Sequence, residues 1–196
     1  MHREGIDRML FWLCRKGDVL YPGSRACYSR VVTTEERGSV LDVGCCFGAG
    51  TAMLASRGFL TTGIDVDFAA LQLARSLYPW LEWVWFDISV EPTQGQWDIV
   101  CAFESLEHMQ DQQMALTNLV QAARRTVLVS TPNGGLGQSG NRLHTHELSI
   151  NEFITMLARC KGARLDAILT IPTFAPALPD SRSPDLLYVI RKEGVK

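Results

Sequence analysis

Short apolar runs alternate with helical segments along most of this 196-residue chain, and this alternation constrains the fold more than any other feature. Five runs predict strands, at Val40–Val43, Leu60–Ile64, Leu81–Phe86, Asp98–Ala102 and Thr126–Ser130. Strands separated by helices of about 10 to 15 residues are typical of βαβ units, which form parallel sheets. Because the runs are almost continuously apolar, we expect helices to cover both faces of the sheet.

The segments between and after these runs predict helices and a terminal hairpin. Three helices are expected, over Ala49–Arg57, Phe68–Leu77 and Gln112–Ala123. A fourth begins at the capping box Ser149–Glu152, runs to about Cys160 and ends at Gly162. Two further strands, Ala163–Ile171 and Leu186–Arg191, are joined by a proline-containing segment in which no helix fits. We therefore expect them to pair antiparallel.

The first 37 residues have a different pattern. Apolar residues recur at helical spacing from Ile6, and Gly17 is placed to end that helix. A turn is predicted over Asp18–Gly23 because it contains Pro22-Gly23, and a second helix over Ser24–Thr33. The length suits one main domain, so we divide the chain into an N-terminal helical cap, residues 1–37, and a sheet domain, residues 38–196.

Composition disfavours several classes of function. With 19 basic and 21 acidic residues, the net charge of -2 gives no long-range attraction for nucleic acid or anionic membranes. No apolar stretch reaches the roughly 18 residues of a membrane span, and the N-terminus lacks the pattern of a signal peptide. The six cysteines show neither a CxxC pair nor zinc-finger spacing. We expect a cytoplasmic protein with reduced thiols.

The segment Val40–Thr51, VLDVGCCFGAGT, predicts a strand, a glycine-containing loop and a helix, the arrangement that binds ligands in open α/β sheets. The spacing is not the dinucleotide pattern GxGxxG, because Cys46 stands at the second glycine position. Asp42 would repel a nearby pyrophosphate by an energy on the order of several kcal/mol in a partly dry site. The sequence therefore favours a cationic ligand.

This segment resembles the glycine-rich first motif, usually DxGCGxG, of class I S-adenosylmethionine-dependent methyltransferases. Further matches follow in the family's order, at GIDVD (Gly63–Asp67), WFDIS (Trp85–Ser89), WDIVCAFESLEHM (Trp97–Met109) and STPN (Ser130–Asn133). The resemblance covers about residues 38 to 192. It implies an α/β, Rossmann-like doubly wound sheet, mostly parallel with an antiparallel terminal strand, and S-adenosylmethionine as the cofactor of residues 38–196.

The resemblance also implies which residues bind the cofactor. Asp65 would hydrogen-bond the two ribose hydroxyls, Asp87 would accept from the adenine amino group, and Ile88 would offer its backbone N–H. The complete implied set is Asp42, Gly44, Cys45, Cys46, Gly48, Asp65, Val66, Asp87, Ile88, Phe103 and Glu104. Cys46 departs from the family's usual glycine, so its side chain would crowd the loop, and we expect retained but weakened binding.

A second motif, ExxEH, is formed by Glu104, Glu107 and His108, which would share one face of a helix. It resembles ubiquinone-biosynthesis O-methyltransferases and small-RNA 3′-terminal 2′-O-methyltransferases, in which such residues hold a divalent metal that binds the acceptor's oxygens. The fourth ligand would be His144 or His146, although their segment, RLHTHELS, also resembles the HxxE loop of many small-molecule methyltransferases. These donor types suit Mg²⁺, Mn²⁺ or Zn²⁺ and do not choose among them.

Two other interpretations of the same motif remain open. His108 would act as a general base without metal, or the three residues would be structural. In the structural interpretation Glu104 approaches the cofactor, Glu107 caps a helix and His108 packs against its neighbours.

The leading functional hypothesis is a methyltransferase that acts on an oxygen of a small-molecule acceptor. The enzyme must hold donor and acceptor together and deprotonate the acceptor, with His108 or His144 as base or metal ligand. The N-terminal helices and the glycine-rich segment Pro132–Arg142, which must be flexible or held by a ligand, would cover the acceptor. So thin a lid suits a small molecule, or an acceptor presented by a partner protein.

Two alternatives come from different observations. The ExxEH motif permits a metal-dependent RNA 3′-end 2′-O-methyltransferase, although the neutral charge disfavours nucleic acid. Because Cys46 replaces the family's usual glycine, the protein could instead be a scaffold subunit that binds the cofactor without catalysing a reaction.

Overall fold

Seven strands form one sheet in the computed structural model, which describes residue 20, residues 22–171 and residues 185–194. The strands are β1 Ser39–Val43, β2 Leu60–Asp65, β3 Glu82–Trp85, β4 Trp97–Phe103, β5 Ala123–Pro132, β6 Ala163–Ile171 and β7 Asp185–Lys192. Their order is β3-β2-β1-β4-β5-β7-β6, in which β1 to β5 are parallel and β7 runs antiparallel to both neighbours. The predicted fold class and terminal hairpin are confirmed.

Five helices flank the sheet within the described ranges. They are α1 Pro22–Thr34, α2 Ala49–Ala55, α3 Phe68–Leu77, α4 Gln112–Ala122 and α5 Ile150–Leu157. Side chains cap three of them. Asp67 accepts the N–H groups of Ala69 and Ala70 in α3, and Asp111 accepts that of Met114 in α4. The capping box of Ser149 and Glu152 forms at α5, as predicted.

Both faces of the sheet are covered by apolar helix surfaces. Along β5, Val127 and Val129 pack in one cluster with α4 and α5, whereas Leu128 packs in another with α1 and α2. This alternation follows from the two-residue period of a strand. The near-continuous apolar runs in the sequence are thereby explained. None of the helices that the structure describes has the length and hydropathy to cross a membrane.

The N-terminal region differs from the prediction in one respect. Pro22 and Gly23 belong to helix α1 and not to a turn, because the fixed φ of proline suits the first turn of a helix. The remainder of that turn, apart from residue 20, and the helix predicted from Ile6 lie outside the described residues. Helix α1 packs in the same core as the sheet through the buried Val31, and the boundary between residues 37 and 38 stays a prediction.

Candidate active site

The glycine-containing loop lies where β1 ends, at the edge of the sheet where β2, β3 and β4 also end. Gly44 and Gly48 have φ values of 70° and 80°, which glycine adopts without steric cost. A Cβ on Gly48 would lie 2.2 Å from the Trp83 ring, and one on Gly44 would lie 2.5 Å from Oγ of Ser105. Only glycine fits at these two positions, and Cys45, between them and the core, is buried.

Cys46 occupies the centre of this loop in a left-handed conformation. Its φ is 50°, a region that costs a non-glycine residue about 1–2 kcal/mol. The side chain is exposed, and the backbone N–H donates to Oδ2 of Asp65 at 2.8 Å. The positive φ explains why glycine is usual at this position, since glycine adopts it without cost. The side-chain crowding expected from the sequence is a separate reason.

Asp65 organises the loop from the end of β2. Its second oxygen, Oδ1, accepts the N–H of Asp67 at 2.8 Å. Each carboxylate oxygen can accept more than one hydrogen bond, so Asp65 retains acceptor capacity for ribose hydroxyls. Val66, beside it, is 55% exposed, and its carbonyl accepts from the indole of Trp85 at 2.9 Å. The end of β2 therefore fits the nucleoside part of the implied cofactor.

The segment after β3 places the residues expected near the adenine. Asp87 is partly buried, and its Oδ1 accepts from the backbone and the hydroxyl of Ser89 at 2.9 and 2.6 Å. Ile88 is buried, and its carbonyl accepts from Nδ2 of Asn118 at 2.8 Å. Asn118 was missed from the sequence; a buried asparagine within the apolar face of α4 is the signal that could have found it.

Asp42 lies beneath the loop and has no exposed surface. The hydroxyl of Tyr28 donates to both of its oxygens, at 2.9 and 3.0 Å, and Oγ1 of Thr51 donates to Oδ2 at 2.6 Å. Burial raises the pKa of Asp42 to about 6, although these hydrogen bonds lower it. Asp42 can therefore affect a bound cation only through the electric field of its charge. The sequence did not reveal Tyr28.

Replacing Tyr28 with phenylalanine is expected to lower the free energy of unfolding by about 1–3 kcal/mol, because a buried carboxylate loses a donor to both oxygens. Urea denaturation at pH 7 measures the change. Tyr188→Phe is the matched control, since Tyr188 is also buried but its hydroxyl has no hydrogen-bond partner among the described residues. Equal losses in the two variants would contradict this account of Asp42.

Glu104 follows the buried Phe103 at the end of β4 and is fastened to the end of β5. Its N–H donates to Oγ and to the carbonyl of Ser130 at 3.0 and 3.1 Å, and Ser130 Oγ donates to Oε1 of Glu104 at 2.7 Å. Burial, followed by the charges of Asp185 and Glu147, raises the pKa of Glu104 to about 7.

The helical face expected for ExxEH does not form. Glu104 has a φ of 51°. The helical turn begins only at Leu106, and it is a short 3-10 turn over Leu106–His108. The positive φ breaks the i, i+3, i+4 geometry on which the sequence argument relied. Glu104 was one of the predicted metal ligands, but it is not among the residues whose potential ligand atoms the structure brings together, here called the donor group.

That donor group consists of Glu107, His108 and His144, with one potential ligand atom from each residue within 4.8 Å of the others. Glu107 is 1% exposed, and its Oε2 has no hydrogen-bond partner among the described residues. Burial and the nearby charge of Glu104 raise the pKa of Glu107 to about 9. The rings of His108 and His144 meet edge to face, with centroids 4.8 Å apart.

His146, the other candidate for a fourth ligand, is not in this group. Its Nε2 lies 3.0 Å from Oε1 of Glu152, and the two side chains are 45% and 50% exposed. Neighbouring positions in the same loop therefore have different environments.

The glycine-rich segment predicted to be flexible or held by a ligand is held by hydrogen bonds to Glu147, a few residues after it. Glu147, which is 1% exposed, accepts the N–H of Ser139 at 2.7 Å. The side-chain amide of Gln138 donates to the carbonyl of Glu147 at 2.9 Å and accepts its N–H at 3.0 Å. The HxxE resemblance includes Glu147 but gives it no role, because a polar loop without periodicity does not indicate which side chain is buried.

Comparisons with known proteins identify the family of this chain. The methyltransferase domain family matches residues 25–160. A probable S-adenosylmethionine-dependent methyltransferase of Mycobacterium tuberculosis is 28% identical over 138 residues, which are 66% of this chain and 50% of the relative. The ubiquinone biosynthesis O-methyltransferase of Escherichia coli is 33% identical over 92 residues, 43% of this chain and 38% of the relative. The chain thus spans about half, or less, of the length of these relatives.

A solved structure gives the same result for the fold. Magnesium protoporphyrin IX methyltransferase from Synechocystis, crystallised with bound S-adenosylhomocysteine, superposes with a TM-score of 0.68 at 16% identity, covering 87% of this chain and 82% of that one. Since the family match covers more than half of the sequence, the chain belongs to the class I S-adenosylmethionine-dependent methyltransferases.

Proposed function

We propose that this protein transfers the methyl group of S-adenosylmethionine to an oxygen of a small-molecule acceptor. The observation that carries the proposal is the donor group formed by Glu107, His108 and His144 near the glycine-containing loop after β1. Oγ of Ser105 donates to the carbonyl of Val43, directly before the loop, at 3.1 Å. Because Glu107 follows two residues after Ser105, the donor group lies close to the loop that would hold the methyl donor.

The two histidines have the chemistry that O-methylation requires. A hydroxyl becomes a better nucleophile as it loses its proton, and a neutral imidazole is a suitable acceptor near pH 7. Burial lowers the pKa of His108 below its ordinary value, which keeps that ring neutral. Its Nδ1 lies 3.0 Å from the carbonyl of Leu143. A carbonyl only accepts, so Nδ1 carries the proton and Nε2 is left to accept one.

The same residues fit a divalent cation. Carboxylate and imidazole ligands suit Mg²⁺, Mn²⁺ or Zn²⁺, and the buried Oε2 of Glu107, which has no hydrogen-bond partner among the described residues, is the kind of atom that a cation would satisfy. Glu107, His108 and His144 would hold the ion, which would lower the pKa of a hydroxyl bound to it. The side chains themselves orient the acceptor at the end of β4.

The name of one relative supports an oxygen acceptor. The Escherichia coli relative is an O-methyltransferase of ubiquinone biosynthesis, and its match to part of this chain favours an acceptor with a hydroxyl group. We extend that acceptor class to this protein as part of the proposal. Three protein ligands would leave other coordination positions of such an ion open. An acceptor with two adjacent oxygens could fill two of them.

Binding of S-adenosylhomocysteine is the first test. A ligand at 100 times its dissociation constant stabilises the folded state by about 2.7 kcal/mol, so the melting temperature is expected to rise at millimolar concentration.

Transfer from radiolabelled S-adenosylmethionine is then measured with phenols, catechols and RNA 3′ ends, with and without a chelator. Labelled catechol or phenol is the expected product. Exclusive labelling of RNA, or cofactor binding without transfer to any acceptor, contradicts the proposal.

A further inference from the structure

Glu147 lies buried in the loop that carries His144. Its Oε1 is 2.6 Å from Nδ1 of His144. We infer that Glu147 is a positioning residue that fixes the ring of His144 in the tautomer protonated on Nδ1, with Nε2 available to the acceptor or a cation. The inference rests on the proposed function, because that function gives His144 its task.

Contacts on both sides of the ring define the same tautomer. An ionised carboxylate only accepts hydrogen bonds, so the contact with Glu147 requires a proton on Nδ1. On the opposite side, Nδ2 of Asn141 lies 2.8 Å from Nε2 of His144. An amide nitrogen only donates, so Nε2 must carry a lone pair. An acceptor or cation that binds Nε2 would replace Asn141 as its partner.

Glu147 is itself held firmly enough to orient the ring. Ser139 donates to it through both its N–H and its hydroxyl, and Gln138 bonds its backbone in both directions. The side chain is 99% buried, and a rotated carboxylate would lose both hydrogen bonds from Ser139. The position of His144 is therefore determined within the loop and does not depend on a bound ligand.

The same loop also fixes His108. The carbonyl that accepts from Nδ1 of His108 belongs to Leu143, the residue before His144. The loop thus sets both imidazoles with Nδ1 protonated. Partners of this kind orient histidines at reactive centres, and their loss typically costs about 10–100-fold in activity or metal affinity.

The test replaces Glu147 with glutamine. Because the N–H of Ser139 donates to Oε2, the amide oxygen is expected at that position, which turns the amide NH₂ group toward Nδ1 of His144. The ring must then move its proton to Nε2, and the Asn141 amide, which donates to Nε2 in the wild type, must turn away from it. Nitrogen-15 NMR of histidine-labelled, metal-free protein reads the change directly. The Nδ1 resonance of His144 is expected to move from the range of a protonated nitrogen to that of an unprotonated one.

Glu152→Gln is the matched control, because Glu152 contacts the exposed His146 in the same segment and glutamine preserves the capping box. The rate constant kcat for methyl transfer is expected to fall about 10–100-fold in Glu147→Gln, with KM for S-adenosylmethionine unchanged, and to stay constant in the control.

The wild-type spectrum alone can overturn the inference, whatever the stability of the variant. His144 protonated on Nε2, or a tautomer unchanged in a folded Glu147→Gln protein, contradicts it. These spectra need neither acceptor nor metal. The expected tautomers combined with an absence of methyl transfer would therefore overturn the proposed function and leave the role of Glu147 standing.

Discussion

Replacing Asp65 with alanine is expected to weaken the binding of S-adenosylhomocysteine by at least about 100-fold. Hydrogen bonds to a charged group contribute about 1.5–3 kcal/mol each, and the family resemblance assigns two ribose hydroxyls to this carboxylate. The same side chain also holds the N–H of Cys46, so its loss releases the loop as well. Isothermal titration calorimetry measures the dissociation constant.

Asp67 provides the control for this experiment, because it lies two residues away and caps α3 by accepting from Ala69 and Ala70. Asp67→Ala is expected to cost about 1 kcal/mol of stability, as the loss of a helix cap does, with little change in affinity. A loss below about tenfold for Asp65→Ala would show that the cofactor is not held at the end of β2.

Replacing His144 with alanine is expected to reduce kcat for methyl transfer by about 10²–10⁴-fold, the usual contribution of a general base. The dissociation constant for S-adenosylhomocysteine is expected to stay unchanged, because the implied cofactor contacts lie elsewhere. Steady-state kinetics with the acceptor identified by labelling, together with calorimetry, separate the two quantities.

His146→Ala is the matched control, since His146 lies in the same loop but pairs with Glu152 away from the donor group. Its kcat is expected to remain close to that of the wild type. Equal losses in the two variants would indicate damage to the loop, and an unaffected His144→Ala enzyme would remove the donor group from the chemistry.

The sheet could be predicted because its signals are local. Apolar runs, helix caps and turn residues act over a few positions, so the ends of strands such as β1 and β2 fall within one residue of the prediction. The start of α1 was misjudged because Pro22 suits both a turn and the first turn of a helix. A local pattern does not decide between these uses.

The site could be predicted only in part, because its geometry depends on contacts distant in sequence. The motif contains Glu107 and His108, which the structure brings together with His144, but the left-handed backbone of Glu104 cannot be read from the letters ExxEH. The sequence offered His144 and His146 equally, and only the fold selects His144. Its loop approaches through a hydrogen bond between His108 and Leu143, which are 35 positions apart. No periodic pattern marks such a contact.

Asp42 accepts hydrogen bonds from two different helices, and this limits how short a stable fragment of the cofactor domain can be. Tyr28 reaches this carboxylate from α1, and Thr51 reaches it from α2. A fragment that began at residue 38 would retain every glycine-rich motif and would still lack one of these two donors. It would also lose Val31 from the core. Crystallisation or engineering of the cofactor domain therefore needs helix α1, even though no recognisable motif lies within it.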